Sequence, residues 1–168
     1  MSQTSETRNL LFYKGKSVLL NTGQRMPAAG LGTFQDPDEQ EQSGYIALQC
    51  GYRHIDTARN YGTEKQVGNG IGRSGVPRDQ IFLTTKLWCN AHQPDDVEPA
   101  LNESLRDLGT EYVDLYLMHY TCSFKRGSSL LPFGPDGGFA HGADAFYRDM
   151  EGNGLASYYR KNTSDWRV

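Results

Sequence analysis

At 168 residues the chain is long enough for one domain with a real core, since a folded chain of this size buries roughly 70% of the surface it exposes when unfolded. Hydrophobic residues at 37%, charged residues at 22% and a formal net charge of −3 describe an ordinary globular composition. The 17 Lys and Arg are scattered, and no basic run is interleaved with aromatics, so nucleic acid is not expected as a partner.

Met1 to Asn9 is polar and lacks the apolar stretch of a secretory leader, and no 18-residue apolar segment follows. A cytoplasmic protein without a membrane span is the expectation. Cys50, Cys89 and Cys122 are odd in number, widely spaced and without a CxxC pairing, so they read as free thiols, which fits a reducing compartment.

Ser17 to Met26 places the turn-prone Asn21-Thr22-Gly23 between two short strand-like pieces and predicts a β-hairpin. Ala28 to Phe34 is short, apolar and glycine-containing, a buried strand in which Gly30 and Gly32 let another backbone or a ligand come close. Asp36-Pro37-Asp38-Glu39 supplies an N-cap, a first-turn proline and an acid three residues after the cap, so a helix is predicted to about Cys50, with Gly51 as its stop. The same grammar recurs: Tyr52 to Asp56 reads as a strand, Glu64 to Ile71 as a helix and Ile81 to Lys86 as a strand. Asp95 and Asp96 open a further helix, where Val97, Leu101, Leu105 and Leu108 form one apolar stripe and Pro99 falls in the first turn. Tyr112 to Met118 is the fourth strand.

Strict strand–helix alternation means parallel strands laid side by side by right-handed crossovers, an α/β fold. Three segments are therefore expected: a polar stretch at 1–17, the repeating unit at 18–127 and an irregular, glycine-rich tail at 128–168. The tail holds six glycines and two prolines without a sustained period, and a helical turn or two around Ala143 to Glu151 is its one regularity. Its seven aromatics argue against a simple solvated tail.

In parallel α/β folds, ligands sit at the carboxyl ends of the strands. The second strand finishes at Asp56, the third at Lys86 and the fourth at His119, with Tyr61 in the loop after Asp56. Each has a bland reading: a turn residue, a solvated lysine, a core histidine and a surface aromatic. Four coincidences at one end of successive strands favour a site. An ammonium beside a phenol eases loss of the phenolic proton, and a carboxylate keeps that ammonium charged. Tyr61 could then give a proton to a carbonyl oxygen that His119 orients by a hydrogen bond. A proton donor alone reduces nothing, so a nicotinamide cofactor is implied as hydride source.

Gly30-Leu31-Gly32-Thr33-Phe34, Gly51-Tyr52-Arg53-His54-Ile55-Asp56-Thr57-Ala58 and Tyr61-Gly62-Thr63-Glu64 together resemble the first signature of the aldo-keto reductases. Thr85-Lys86-Leu87-Trp88 and the run from Tyr112 to His119 are similar to the next two signatures, and the resemblance covers about Val18 to Gly127. It implies the N-terminal half of a (β/α)8 TIM barrel, preceded by a β-hairpin and followed by the irregular tail. It implies a catalytic set of Asp56, Tyr61, Lys86 and His119, with Tyr61 as proton donor. Gly32, Thr33 and Asp56 are the implied contacts to NADPH, and Phe34, Trp88, His119 and Tyr120 the implied substrate pocket. Thr63 and Thr121 stand where the family commonly has Asn and Pro.

Such barrels typically need about 250 residues, so a truncated or misframed product is expected, with weak NADPH affinity. Open sheet edges imply self-association. The expected activity is reduction of a small aldehyde or ketone by NADPH. Its alternatives are a non-catalytic remnant or regulatory subunit of the same fold, an aldolase-like barrel using Lys86 as a Schiff-base lysine, and a metal site at His54-Ile55-Asp56, which lacks a second histidine at ligand spacing.

Overall fold

The computed structural model describes residues 16–142. The chain opens with an antiparallel hairpin, β1 (Ser17–Leu19) and β2 (Arg25–Pro27), turning through Gly23 at φ +86°. Beyond it lie β3 (Leu31–Gly32), β4 (His54–Asp56), β5 (Phe82–Leu87) and β6 (Leu115–Met118), four parallel strands paired in sequence order. Three helices, α1 (Pro37–Gln49), α2 (Glu64–Ser74) and α3 (Pro94–Leu108), make the crossovers. The hairpin sits under the amino end of β4, where the Pro27 carbonyl and the Thr84 hydroxyl each lie 3.2 Å from a ring nitrogen of His54.

Side chains alternate across the sheet. Ile55, Leu83 and Leu87 point outward to the helices, and Leu48, Ile55, Val67, Ile81, Leu83, Leu101, Leu108 and Val113 form one buried cluster there. Full burial of each such side chain stabilises the fold by about 1.5–3 kcal/mol. His54, Asp56, Thr84 and Lys86 therefore occupy the opposite, inner face, and Asp56 and Lys86 come out at its carboxyl rim.

The helix α1 departs from its predicted cap. Asp36 adopts φ 44°, ψ 66°, and its carboxylate makes no capping bond. The Gln40 side-chain amide donates instead to the Gln35 carbonyl at 2.7 Å, bracing two successive left-handed residues that are not glycine. Helix α3 begins at Pro94, earlier than the aspartates, so Pro99 lies in its second turn and deletes one backbone bond there.

After β6 the chain remains irregular to residue 142, yet it packs. Antiparallel bridges join Phe124 to His141 and Phe133 to Phe139, and the Phe124 ring stacks on Phe139 at 5.1 Å. The helical turn expected at Ala143 to Glu151 lies outside the described residues.

Helix α2 approaches its neighbours at glycines. A Cβ on Gly68 would be driven into the backbone carbonyl of Leu108, whereas one on Gly72 would meet nothing within 4 Å. Gly68→Ala should lower the unfolding free energy by about 1–3 kcal/mol, while Gly72→Ala should stabilise by up to about 1 kcal/mol. Urea denaturation of the two variants checks this, and equal effects would contradict the packing.

Candidate active site

Asp56 ends β4, Lys86 stands one residue before the end of β5, and the two strands are paired. An ammonium has three protons to donate, and that of Lys86 has three acceptors. Its Nζ donates to Asp56 Oδ1 at 2.5 Å, to the Thr57 carbonyl at 2.9 Å and to the Tyr61 hydroxyl at 3.3 Å. The same nitrogen lies 4.9 Å from the Tyr61 ring centroid. The Lys86 side chain keeps 13% of its exposure and Asp56 35%, so the pair is shielded but open on one side.

Tyr61 ends a 3-10 turn, Arg59–Tyr61, which Gly62 terminates at φ +67°. That turn is pinned to α3. The Arg59 guanidinium reaches Asp107 at 2.7 Å, Glu103 at 3.1 Å and Glu64 at 3.7 Å. Glu64, almost fully buried at the start of α2, accepts from the hydroxyls of Thr85 at 2.6 Å and Ser104 at 3.1 Å. Burial raises its carboxyl above the ordinary value, outweighing the two hydroxyl bonds and the Arg59 charge. Arg59 and Glu64 are not among the residues predicted from sequence. Glu103 and Asp107, two acids one turn apart on α3, were the available signal, because like charges at that spacing repel unless a cation joins them.

His119 follows β6, and its backbone N–H donates to the Leu87 carbonyl at 3.0 Å. Its ring meets Tyr61 edge-on at 5.3 Å and Trp88 at 5.2 Å, and stacks on Tyr120 at 4.8 Å. Desolvation, then the Lys86 charge, hold the imidazole below its ordinary value, so it is neutral at neutral pH, and its buried Nδ1 has no hydrogen-bond partner. Phe34 and Tyr120 stand open at 62% and 56% exposure, whereas Trp88 is buried at 4% with its indole N–H on the Leu130 carbonyl. Thr33 is buried, and both its N–H and its hydroxyl donate to the Asp56 carbonyl at 3.1 Å. Gly32 is exposed, in register with Asp56, with open space where a side chain would stand. Both ring nitrogens of His54 are engaged, one with the Pro27 carbonyl and the other with the Thr84 hydroxyl, and no cluster of three metal-ligating side chains occurs among the described residues.

The model of the Aldo/keto reductase family matches residues 26–123. The chain is 46% identical over 129 residues to a D/L-glyceraldehyde reductase of Hypocrea jecorina, covering 73% of this chain and 39% of that one. It is 48% identical over 140 residues to aldo-keto reductase family 1 member A1-A of Danio rerio, covering 79% and 43%. In structure it superposes on the aldose reductase of Schistosoma japonicum with a TM-score of 0.81 at 29% identity, over 91% of this chain and 50% of that one. A Bombyx mori aldo-keto reductase in complex with NADP matches with a TM-score of 0.72 at 35% identity, over 89% and 47%. The chain thus spans about two-fifths of the length of these curated relatives.

An acid whose folded value is raised binds more protons folded than unfolded, so its contribution to stability is full below the ordinary 4.5 and is lost as pH rises through the raised value. Glutamine does not titrate. The stability of Glu64→Gln relative to the parent should therefore climb steadily as pH rises through that window, as read from urea midpoints at successive pH values. Parallel curves would contradict a raised carboxyl at Glu64.

Proposed function

Because the chain belongs to the aldo-keto reductase family, we propose that it reduces a small aldehyde or ketone to the alcohol with NADPH as hydride source and Tyr61 as proton donor. The observation that carries this reading is the ammonium of Lys86, shared between the Asp56 carboxylate and the Tyr61 hydroxyl at the carboxyl rim of the sheet.

When bound, the nicotinamide supplies the hydride that no side chain can. The described residues fit that end of the cofactor: Gly32 leaves a flat patch of backbone free, and Thr33 fixes the Asp56 carbonyl beside it. Gly32 and Asp56 are the residues that would hold it, with the buried Thr33 fixing Asp56 from behind. Tyr61 hydrogen-bonds the carbonyl oxygen of the substrate and releases its proton to that oxygen as negative charge grows there. The Lys86 ammonium, paired with Asp56, stabilises the phenolate left behind. His119, neutral, donates one N–H to the same oxygen and fixes the orientation of the carbonyl. Phe34 and Tyr120 give the site an aromatic mouth, suited to a partly apolar carbonyl compound, and glyceraldehyde is the first to test because a relative is named for it.

A cytoplasmic setting suits the three free thiols. Self-association is part of the same proposal: β6 is an edge strand, with Leu117 and Met118 each 39% exposed. Size-exclusion chromatography of the purified chain should show a species larger than the monomer, and a sharp monomer peak would contradict it.

Glyceraldehyde added to the chain with NADPH should bring oxidation of the cofactor. Tyr61→Phe should slow that oxidation by about 10²–10⁴-fold while leaving NADPH binding, read by its fluorescence, nearly unchanged. Equal rates in the two proteins would remove Tyr61 as the donor.

A further inference from the structure

Beside the aromatic mouth lies a pair of side chains that carbonyl reduction does not use. Cys89 follows Trp88 on the loop after β5, and Cys122 stands on the loop after β6, two residues beyond Tyr120. Their sulfurs are 3.7 Å apart, 33 residues apart in the chain. Cys89 is wholly buried and Cys122 half-buried, and both pack with Trp88 and Phe124 in one small cluster. The two loops are already tied there, since the Phe124 N–H donates to the Cys89 carbonyl at 2.9 Å.

We propose that Cys89 and Cys122 are an oxidation site, at which a hydroperoxide converts the two thiols into a disulfide joining the walls that carry Trp88 and Tyr120. Cys122 is the sulfur that reacts first, because it is the one solvent reaches. Burial, then the neighbouring Cys122 sulfur, push the Cys89 thiol up to about 12, which keeps it protonated in reserve. The Cys122 thiolate attacks one peroxide oxygen; a sulfur–oxygen bond forms, the oxygen–oxygen bond breaks, and water leaves after taking up a proton. The Cys89 sulfur then attacks the Cys122 sulfur, forming the sulfur–sulfur bond and breaking the sulfur–oxygen bond, while the Cys89 proton leaves in a second water. Two thiols are oxidised and one peroxide is reduced.

A disulfide holds its sulfurs about 2.05 Å apart, so the two sulfurs must approach by roughly 1.7 Å from the reduced separation of 3.7 Å, by rotation of the side chains and closure of the loops that carry them. Trp88 meets His119 at 5.2 Å and Tyr120 at 5.7 Å, so this movement reaches the mouth of the site. The exposed Cys50, on the far side of the fold at the end of α1, takes no part.

The test uses the full chain carrying Cys50→Ser, treated with one equivalent of hydrogen peroxide and read by intact mass and a non-reducing peptide map. The expected result is loss of two hydrogens, a single peptide pair linked through Cys89 and Cys122, a change in tryptophan fluorescence, and reversal of all three by dithiothreitol. Cys122→Ser in the same background, itself checked for folding by circular dichroism, should show neither the mass loss nor the fluorescence change. Oxygen addition without linkage, linkage only between two chains, or two thiols still titratable in the folded protein after treatment would each overturn the proposal.

Discussion

A shielded ammonium must have all its protons accepted or it destabilises the fold that encloses it, and that demand organises the whole rim of this sheet. Lys86 meets it with three acceptors drawn from one stretch of chain, Asp56, Thr57 and Tyr61. Breaking a fully buried pair of this kind costs about 3–5 kcal/mol, and less where one partner keeps the 35% exposure of Asp56. The register of β4 on β5 and the short turn after β4 are therefore tied to one another through a single nitrogen. Any substrate that takes a hydrogen bond from Tyr61 is coupled at once to a fixed positive charge.

That turn does not stand by itself. Arg59 anchors it to α3, and Glu64 anchors Arg59, Thr85 and Ser104 to one buried carboxylate. Thr85 and Lys86 are adjacent and point to opposite faces of β5, the threonine into the helix layer and the lysine toward the rim. A carboxylate on the helix side thus holds the strand from behind while another holds it from the front. The buried cluster under the helices supplies the free energy of folding, and the charged groups decide where its rim residues stand.

Much of this was legible in the sequence, for identifiable reasons. Parallel strands follow from alternation, and the last residue of each strand follows from where the apolar run stops, so Asp56, Lys86 and His119 could be placed at one rim from spacing alone. Tyr61 came with them because its loop is short. The capping role expected of Asp36 failed, since a backbone in the left-handed region turns the carboxylate away and Gln40 takes over. Pro99 was placed a turn too early because Pro94 starts the helix ahead of its acidic residues. Trp88, an implied pocket wall, is held on its other side by an indole N–H on the Leu130 carbonyl, which no spacing announces. This contact, like the approach of Cys89 to Cys122, joins loops 33 or more residues apart and leaves no period to read.

The shared proton at residues 61 and 86 is tested most directly by a double-mutant cycle on carbonyl reduction, comparing kcat/KM for Tyr61→Phe, Lys86→Met and the two combined. Groups that act as one unit lose their effect together, so the combined variant is expected to be about as slow as the slower single variant. Losses that multiply would mean that the phenol and the ammonium act independently, and would contradict the coupling on which the proposed reaction rests.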